Sequence, residues 1–183
     1  WAPDAGPAFP HPTAGAIAVG ARKFLVAYNV NLATTSVKTA KTIAENIRES
    51  GKIITNEKGE KKRVPGRFPF VKAMGWYVEE FGKAQVSMNL TDLDVTPIHE
   101  VFEEIKTQAH ALGTRVTGSE LVGMVPEKYL LQCGKHAIQK YQPGLAFKKR
   151  GKDHSIRAAI EFLGLNDARD FDPGKKIIER VLP

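Results

Sequence analysis

Cysteine is almost absent: Cys133 is the only one in 183 residues. A lone thiol excludes an internal disulfide, and no paired Cys or His spacing suggests a metal site. No apolar run approaches the roughly 18 residues that a membrane-crossing helix needs. No basic stretch leads into an apolar one at the start, so no signal segment is expected. These absences predict a cytoplasmic protein with no membrane partner. Missing too are the phosphate loop G-x-x-x-x-G-K-[ST], a G-x-G-x-x-G turn after a strand, and the zinc-protease pair H-E-x-x-H.

What is present is an ordinary globular balance. The chain is 42% hydrophobic and 26% charged, enough to bury one core. Its net charge of +7 is unevenly spread. Lys52, Lys58, Lys61, Lys62, Arg63, Arg67 and Lys72 face only Glu57 and Glu60, and Lys135, Lys140, Lys148, Lys149, Arg150 and Lys152 form a second cluster. Such patches suit nucleic acid, an acidic protein surface or the glutamate tail of a folate. Most charge runs are simply solvated surface, and that is the favoured reading of the first patch.

Pro3, Gly6, Pro7, Pro10, Pro12, Gly15 and Gly20 predict an irregular opening loop. Its prolines limit the entropy lost on ordering, and its glycines let backbone N–H groups approach a ligand. A terminal arm packed on a neighbour is the alternative. Then Phe24, Val26, Tyr28, Val30 and Leu32 alternate with Leu25, Ala27, Asn29 and Asn31, which predicts a strand with one apolar and one mixed face. Ser36 caps a helix over residues 37–49. A basic loop or irregular hairpin follows over 53–70, with turns at Asn56 to Gly59 and at Pro65-Gly66. Two antiparallel strands, 71–79 and 84–90, are joined through Gly82.

Thr96 as N-cap and Pro97 at the first helical position announce a second helix. Its stripe is Ile98, Val101, Phe102, Ile105, Ala109 and Leu112. A strand over 115–120, a helix over 126–141, an exposed loop over 142–154, a helix over 156–163 and a last turn or two through 181 complete the chain. The order β-α-β-β-α-β predicts an α+β fold, a ferredoxin-like sandwich with additional C-terminal helices.

Histidines are the only proton carriers ordinarily active near neutral pH. His99 and His110 fall at the two ends of the second helix, and His136 and His154 in basic stretches that predict surface placement. Only His11 lies in a loop suspected of binding, and no carboxylate near it in sequence is placed to orient its ring. No catalytic residue and no metal ligand is assigned.

Longer motifs carry more. Trp1-Ala2-Pro3-Asp4, Gly6-Pro7, Gly20-Ala21-Arg22-Lys23-Phe24-Leu25, Gly75-Trp76-Tyr77, Ala84-Gln85-Val86-Ser87-Met88-Asn89-Leu90, Gly118-Ser119-Glu120-Leu121-Val122-Gly123-Met124-Val125-Pro126 and Phe171-Asp172-Pro173 nearly span the chain. In this order they resemble the glutamate formimidoyltransferase family, including the formiminotransferase part of formimidoyltransferase-cyclodeaminase. The resemblance implies that residues 23–183 are the C-terminal subdomain, preceded by a connecting loop over 1–22. It also implies that the N-terminal subdomain, with the family's proton-transferring histidine, is missing.

By the same resemblance the reaction moves the formimidoyl group of N-formimidoyl-L-glutamate to tetrahydrofolate, a step of histidine degradation and one-carbon metabolism. Tetrahydrofolate is the co-substrate, and no metal is implied. Folate binding maps onto Gly6, Pro7, Ala8, Phe9, Pro10, His11, Pro12, Thr13, Ala14 and Gly15. Arg22 and Lys23 are the candidates for its carboxylate tail. The implied partners are the two substrates, the missing subdomain and a second copy in a homodimer; nucleic acid is not expected. The alternatives are an RNA-binding module of the same fold, which would place aromatics on a central strand such as 84–90 where none occurs, and a pure interaction domain.

Overall fold

The computed structural model describes residues 2–141 and 151–182. Trp1 and the expected loop positions 142–150 lie outside them, as do Lys148, Lys149 and Arg150 of the second basic cluster.

The first strand, β1 (Val26–Leu32), forms because its alternate residues Val26, Tyr28, Val30 and Leu32 bury completely on one face. Phe24, expected to extend that face, stays outside the strand and is 65% exposed. Helix α1 (Val37–Ile47) starts where the Ser36 hydroxyl accepts the Thr39 N–H. It lays Ala40, Ile43, Ala44 and Ile47 on the apolar face of the sheet. The basic segment is a true hairpin of β2 (Lys52–Thr55) and β3 (Lys61–Val64). Asn56 closes its turn by accepting the N–H groups of Lys58 and Glu60.

Strands β4 (Val71–Val78) and β5 (Lys83–Leu90) pair antiparallel through a short 3-10 turn ended by Gly82, whose φ of 60° suits glycine. Helix α2 (Ile98–Ala111) departs from expectation at both ends. Pro97 is its N-cap rather than its first helical residue, and the Thr96 hydroxyl, expected to cap it, donates to the Pro69 carbonyl instead. Tying the loop to β4 took precedence over capping. At the other end Leu112 lies past the helix and is 45% exposed, so the stripe stops at Ala109.

Strand β6 (Val116–Val122) completes a four-stranded antiparallel sheet in the order β4-β5-β1-β6, with α1 and α2 on one face. This is the split β-α-β-β-α-β arrangement, with β2–β3 inserted between α1 and β4. Helix α3 (Glu127–Tyr141) packs along α4 (Gly151–Leu163), where Gly134 meets the Ser155 backbone. Residues 151–154, expected in a loop, are therefore the first turn of α4. Beyond it α5 (Pro173–Lys176) and α6 (Ile178–Val181) are separated by Ile177, which pairs with Val125. The edge of β6 is closed by α4: Ser119 donates its N–H to the Gly164 carbonyl and its hydroxyl to that of Leu163. Among the described residues no helix is long and apolar enough to cross a membrane.

Candidate substrate-binding face

The helices cover one side of the sheet, and the strand register lays out the other. Across β4, β5, β1 and β6, Trp76, Gln85, Asn31 and Gly118 form one row. Met74, Ser87, Asn29 and Glu120 form the next, followed by Lys72, Asn89, Ala27 and Val122. This face is polar at its centre and carries exposed apolar groups at its sides, with Met74 and Trp76 on β4 and Val122 on β6. No aromatic side chain of the two central strands points to it, because Tyr28 is turned into the core.

The Trp76 row is internally satisfied. Trp76 donates its indole N–H to Gln85 Oε1 (2.9 Å), Gln85 donates Nε2 to Asn31 Oδ1 (2.8 Å), and Asn31 donates Nδ2 to Asp167 Oδ2 (2.9 Å). Asp167 also accepts from the Thr117 hydroxyl (2.7 Å) and from Lys83 Nζ (3.1 Å). Burial by itself would raise the Asp167 carboxyl, but the hydrogen bonds from Thr117, Asn31 and Lys83 outweigh it and hold the group below its ordinary value. Every donor in the row thus points toward one anion, which fixes the amide orientations and the indole together.

The Met74 row is the opposite case. Asn29 is 8% exposed, yet its side-chain amide has no hydrogen bond among the described residues, and neither do the side chains of Ser87 and Glu120 beside it. An amide brings two donors and an acceptor with two lone pairs; the residue is largely buried, but its amide atoms are not sealed from solvent and stay open to a group that approaches from the uncovered side.

The expected folate loop behaves differently. Residues 6–15 are exposed throughout, and all their described hydrogen bonds stay within 11–15. There His11 and Gly15 exchange backbone bonds, and His11 Nδ1 accepts the N–H groups of Thr13 and Ala14. Gly6 and Gly15 have φ of 93° and 70°, conformations that glycine adopts without strain. Arg22 donates to the Lys23 carbonyl. Lys23 itself ion-pairs with Asp92 at 2.7 Å and lies 3.8 Å from Asp94, and its hydrogen bond lowers the Asp92 carboxyl. Lys23 therefore ties the end of the arm to the loop before α2.

A second titratable cluster lies between α2 and α3, away from the open face. His99 and His136 stack with ring centres 4.4 Å apart, and His136 Nε2 meets Glu103 at 3.1 Å. His99 lies on the first turn of α2 as expected, whereas His136, expected at the surface, is only 29% exposed at its side chain. Burial and the neighbouring His136 push His99 down to about 4. Burial also pushes the Cys133 thiol up to about 12. Among the described residues no three His, Cys, Asp or Glu side chains are grouped to hold a metal.

Residues 27–183 match the model of the formiminotransferase domain. The chain belongs to the formiminotransferase domain family. It is 42% identical to mouse formimidoyltransferase-cyclodeaminase over 183 residues, all of this chain and 31% of that protein. The Dictyostelium discoideum protein of the same name is 42% identical over 182 residues, 32% of its length. Glutamate formimidoyltransferase of Streptococcus pyogenes serotype M1 is 40% identical over 139 residues, 76% of this chain and 42% of that protein. The chain thus spans about a third of the length of these formimidoyltransferase-cyclodeaminase relatives.

Within it, the polar open face was only half visible in the sequence. Asn29 and Asn31 stand at alternate positions of a strand whose other face is apolar, as do Gln85, Ser87 and Asn89, and that parity was the available signal. Asp167 gave no signal, because its partners come from three separate strands.

Proposed function

We propose that this chain is the folate-binding, C-terminal half of an enzyme that transfers the formimidoyl group of N-formimidoyl-L-glutamate to tetrahydrofolate. The observation that supports it is a polar, unfilled sheet face in a chain of the formiminotransferase domain family. Folate lies in a crevice between this face and the N-terminal half, with residues 6–15 closing over it. In the transfer the folate amine attacks the formimidoyl carbon, and a C–N bond to the glutamate nitrogen then breaks. The attacking nitrogen must lose a proton and the leaving nitrogen must gain one. This half supplies orientation, and the other half moves the protons.

Orientation can lower a barrier by up to roughly 7–11 kcal/mol, but by itself it leaves the protons without a carrier. The isolated chain therefore transfers no formimidoyl group. The test is calorimetric titration of folinic acid, a stable tetrahydrofolate analogue, into the chain alone and joined to the N-terminal portion of a relative. Binding that needs both parts supports the reading. Transfer by the isolated chain contradicts the division of labour, and absence of binding in either form removes the folate assignment.

A further inference from the structure

The Trp76 and Met74 rows are neighbours on one face, yet the first is closed by Asp167 and the second is left open. Polar side chains on a solvated sheet face are ordinarily exposed; Asn29 is not, being more than nine-tenths buried on a central strand. Ser87 stands opposite it on β5 and Glu120 opposite it on β6. Side chains paired directly across strands stand about 5 Å apart. The row therefore offers, at a fixed spacing, a carboxylate that only accepts, an amide that does both, and a hydroxyl.

We infer that Glu120 and Asn29 recognise the 2-amino-4-oxo edge of a pterin ring and so set the ring specificity of this face. The inference rests on the folate reading above and goes beyond it by assigning the ring's contacts. That edge presents two adjacent N–H donors, at the ring nitrogen and the 2-amino group, flanked by a carbonyl oxygen. A carboxylate takes the two donors side by side, and an amide one strand away donates to the oxygen. Glu120 is partly buried, and Arg169, a cation that feels its charge, is itself paired with Glu80 at 2.9 Å, so the carboxylate remains available. Met74 and Trp76 on β4 supply apolar surface beside the row, and the locked indole of Trp76 needs no reordering when a ligand arrives.

The test removes one hydrogen-bonding group from each side. Folinic acid and its 2-desamino analogue are titrated into the chain joined to the N-terminal portion of a relative, as wild type and as Glu120→Gln. The substitution is isosteric, and a urea unfolding curve run beside it reports the fold. A carboxylate bonded to the 2-amino group predicts that Glu120→Gln weakens folinic acid roughly 10- to 100-fold and the 2-desamino analogue several-fold less. Asn29→Ser is expected to weaken both ligands, since the carbonyl oxygen is common to them. Equal weakening of the two ligands by Glu120→Gln, or none, overturns the inference while leaving folate binding in place. Absence of folate binding by the wild type removes the folate reading and this inference with it.

Discussion

Asn31 and Asp167 are 136 residues apart in the chain and 2.9 Å apart in the fold. Their bond joins the segment after α4 to the central strand of the sheet, and Lys83 at 3.1 Å brings the neighbouring strand into the same contact. Asp167→Ala leaves the ammonium of Lys83 partly buried without its anion and Asn31 without its acceptor. The expected loss is about 3 kcal/mol in urea unfolding at pH 7. Its pH dependence has a definite sign. The folded carboxyl titrates below the unfolded one, so the contribution is whole above about pH 4 and is lost as pH falls through the folded value. The stability gap between wild type and Asp167→Asn should therefore narrow in acid.

Gly75 sits where α1 crosses β4. A Cβ there would fall inside van der Waals distance of the Ala40 carbonyl carbon and the Lys41 nitrogen, both backbone atoms that cannot swing aside. Gly75→Ala is expected to cost about 3 kcal/mol or more, since overpacking against a rigid helix must move the helix. Gly82→Ala, at a φ of 60° with open space around it, is the contrasting case: its cost is backbone strain alone, about 1 kcal/mol. Urea midpoints of the two variants separate the mechanisms.

These elements also show what the sequence could and could not convey. The apolar stripes of β1, α1 and α2 follow a period, and period alone located them. The antiparallel register followed from the tight connection through Gly82. Thr96 and Phe24 failed as local readings because distant partners decided them: Thr96 found the Pro69 carbonyl, and the chain at Phe24 is held by Lys23 on Asp92. The open polar face was foreshadowed by residue parity. Its closure by Asp167 was not, since a contact across 136 residues leaves no trace in spacing.

His99 faces His136, Glu103 and Cys133 in the seam between α2 and α3. With its folded value lowered to about 4, the folded chain takes up fewer protons than the unfolded chain between about pH 6.5 and that value. Stability must then fall as pH drops through this window. The accumulated loss is about 2–3 kcal/mol by pH 4. Denaturant unfolding at pH 7.0, about 5.5 and about 4.5 measures it, and His99→Gln should flatten the dependence. A slope unchanged in His99→Gln would assign the pH response to other groups. Cys133 in the same seam, held as a thiol, should resist alkylation until the chain unfolds.

Lys23 bears on how the arm is held. Its ammonium meets Asp92 at 2.7 Å; Asp94 beside it accepts from Lys128 at 2.8 Å and from the Tyr129 hydroxyl at 3.2 Å. The pairs therefore connect the end of the arm, the loop before α2 and the start of α3. Lys23 and Asp94 are well exposed while Asp92 is nearly buried, with 12% of its side chain exposed; with one partner of each pair in solvent, the pairs contribute little to global stability. Their effect is local: they fix where residues 2–22 leave the body. Lys23→Met should speed amide exchange near residue 23 while leaving the urea midpoint almost unchanged. Protonating Asp92 should have the same effect; because Lys23 lowers that carboxyl, release is expected only below about pH 4. If exchange in Lys23→Met matched the wild type, the ion pair would not be anchoring the arm, and the ammonium would be available to meet the folate carboxylate instead.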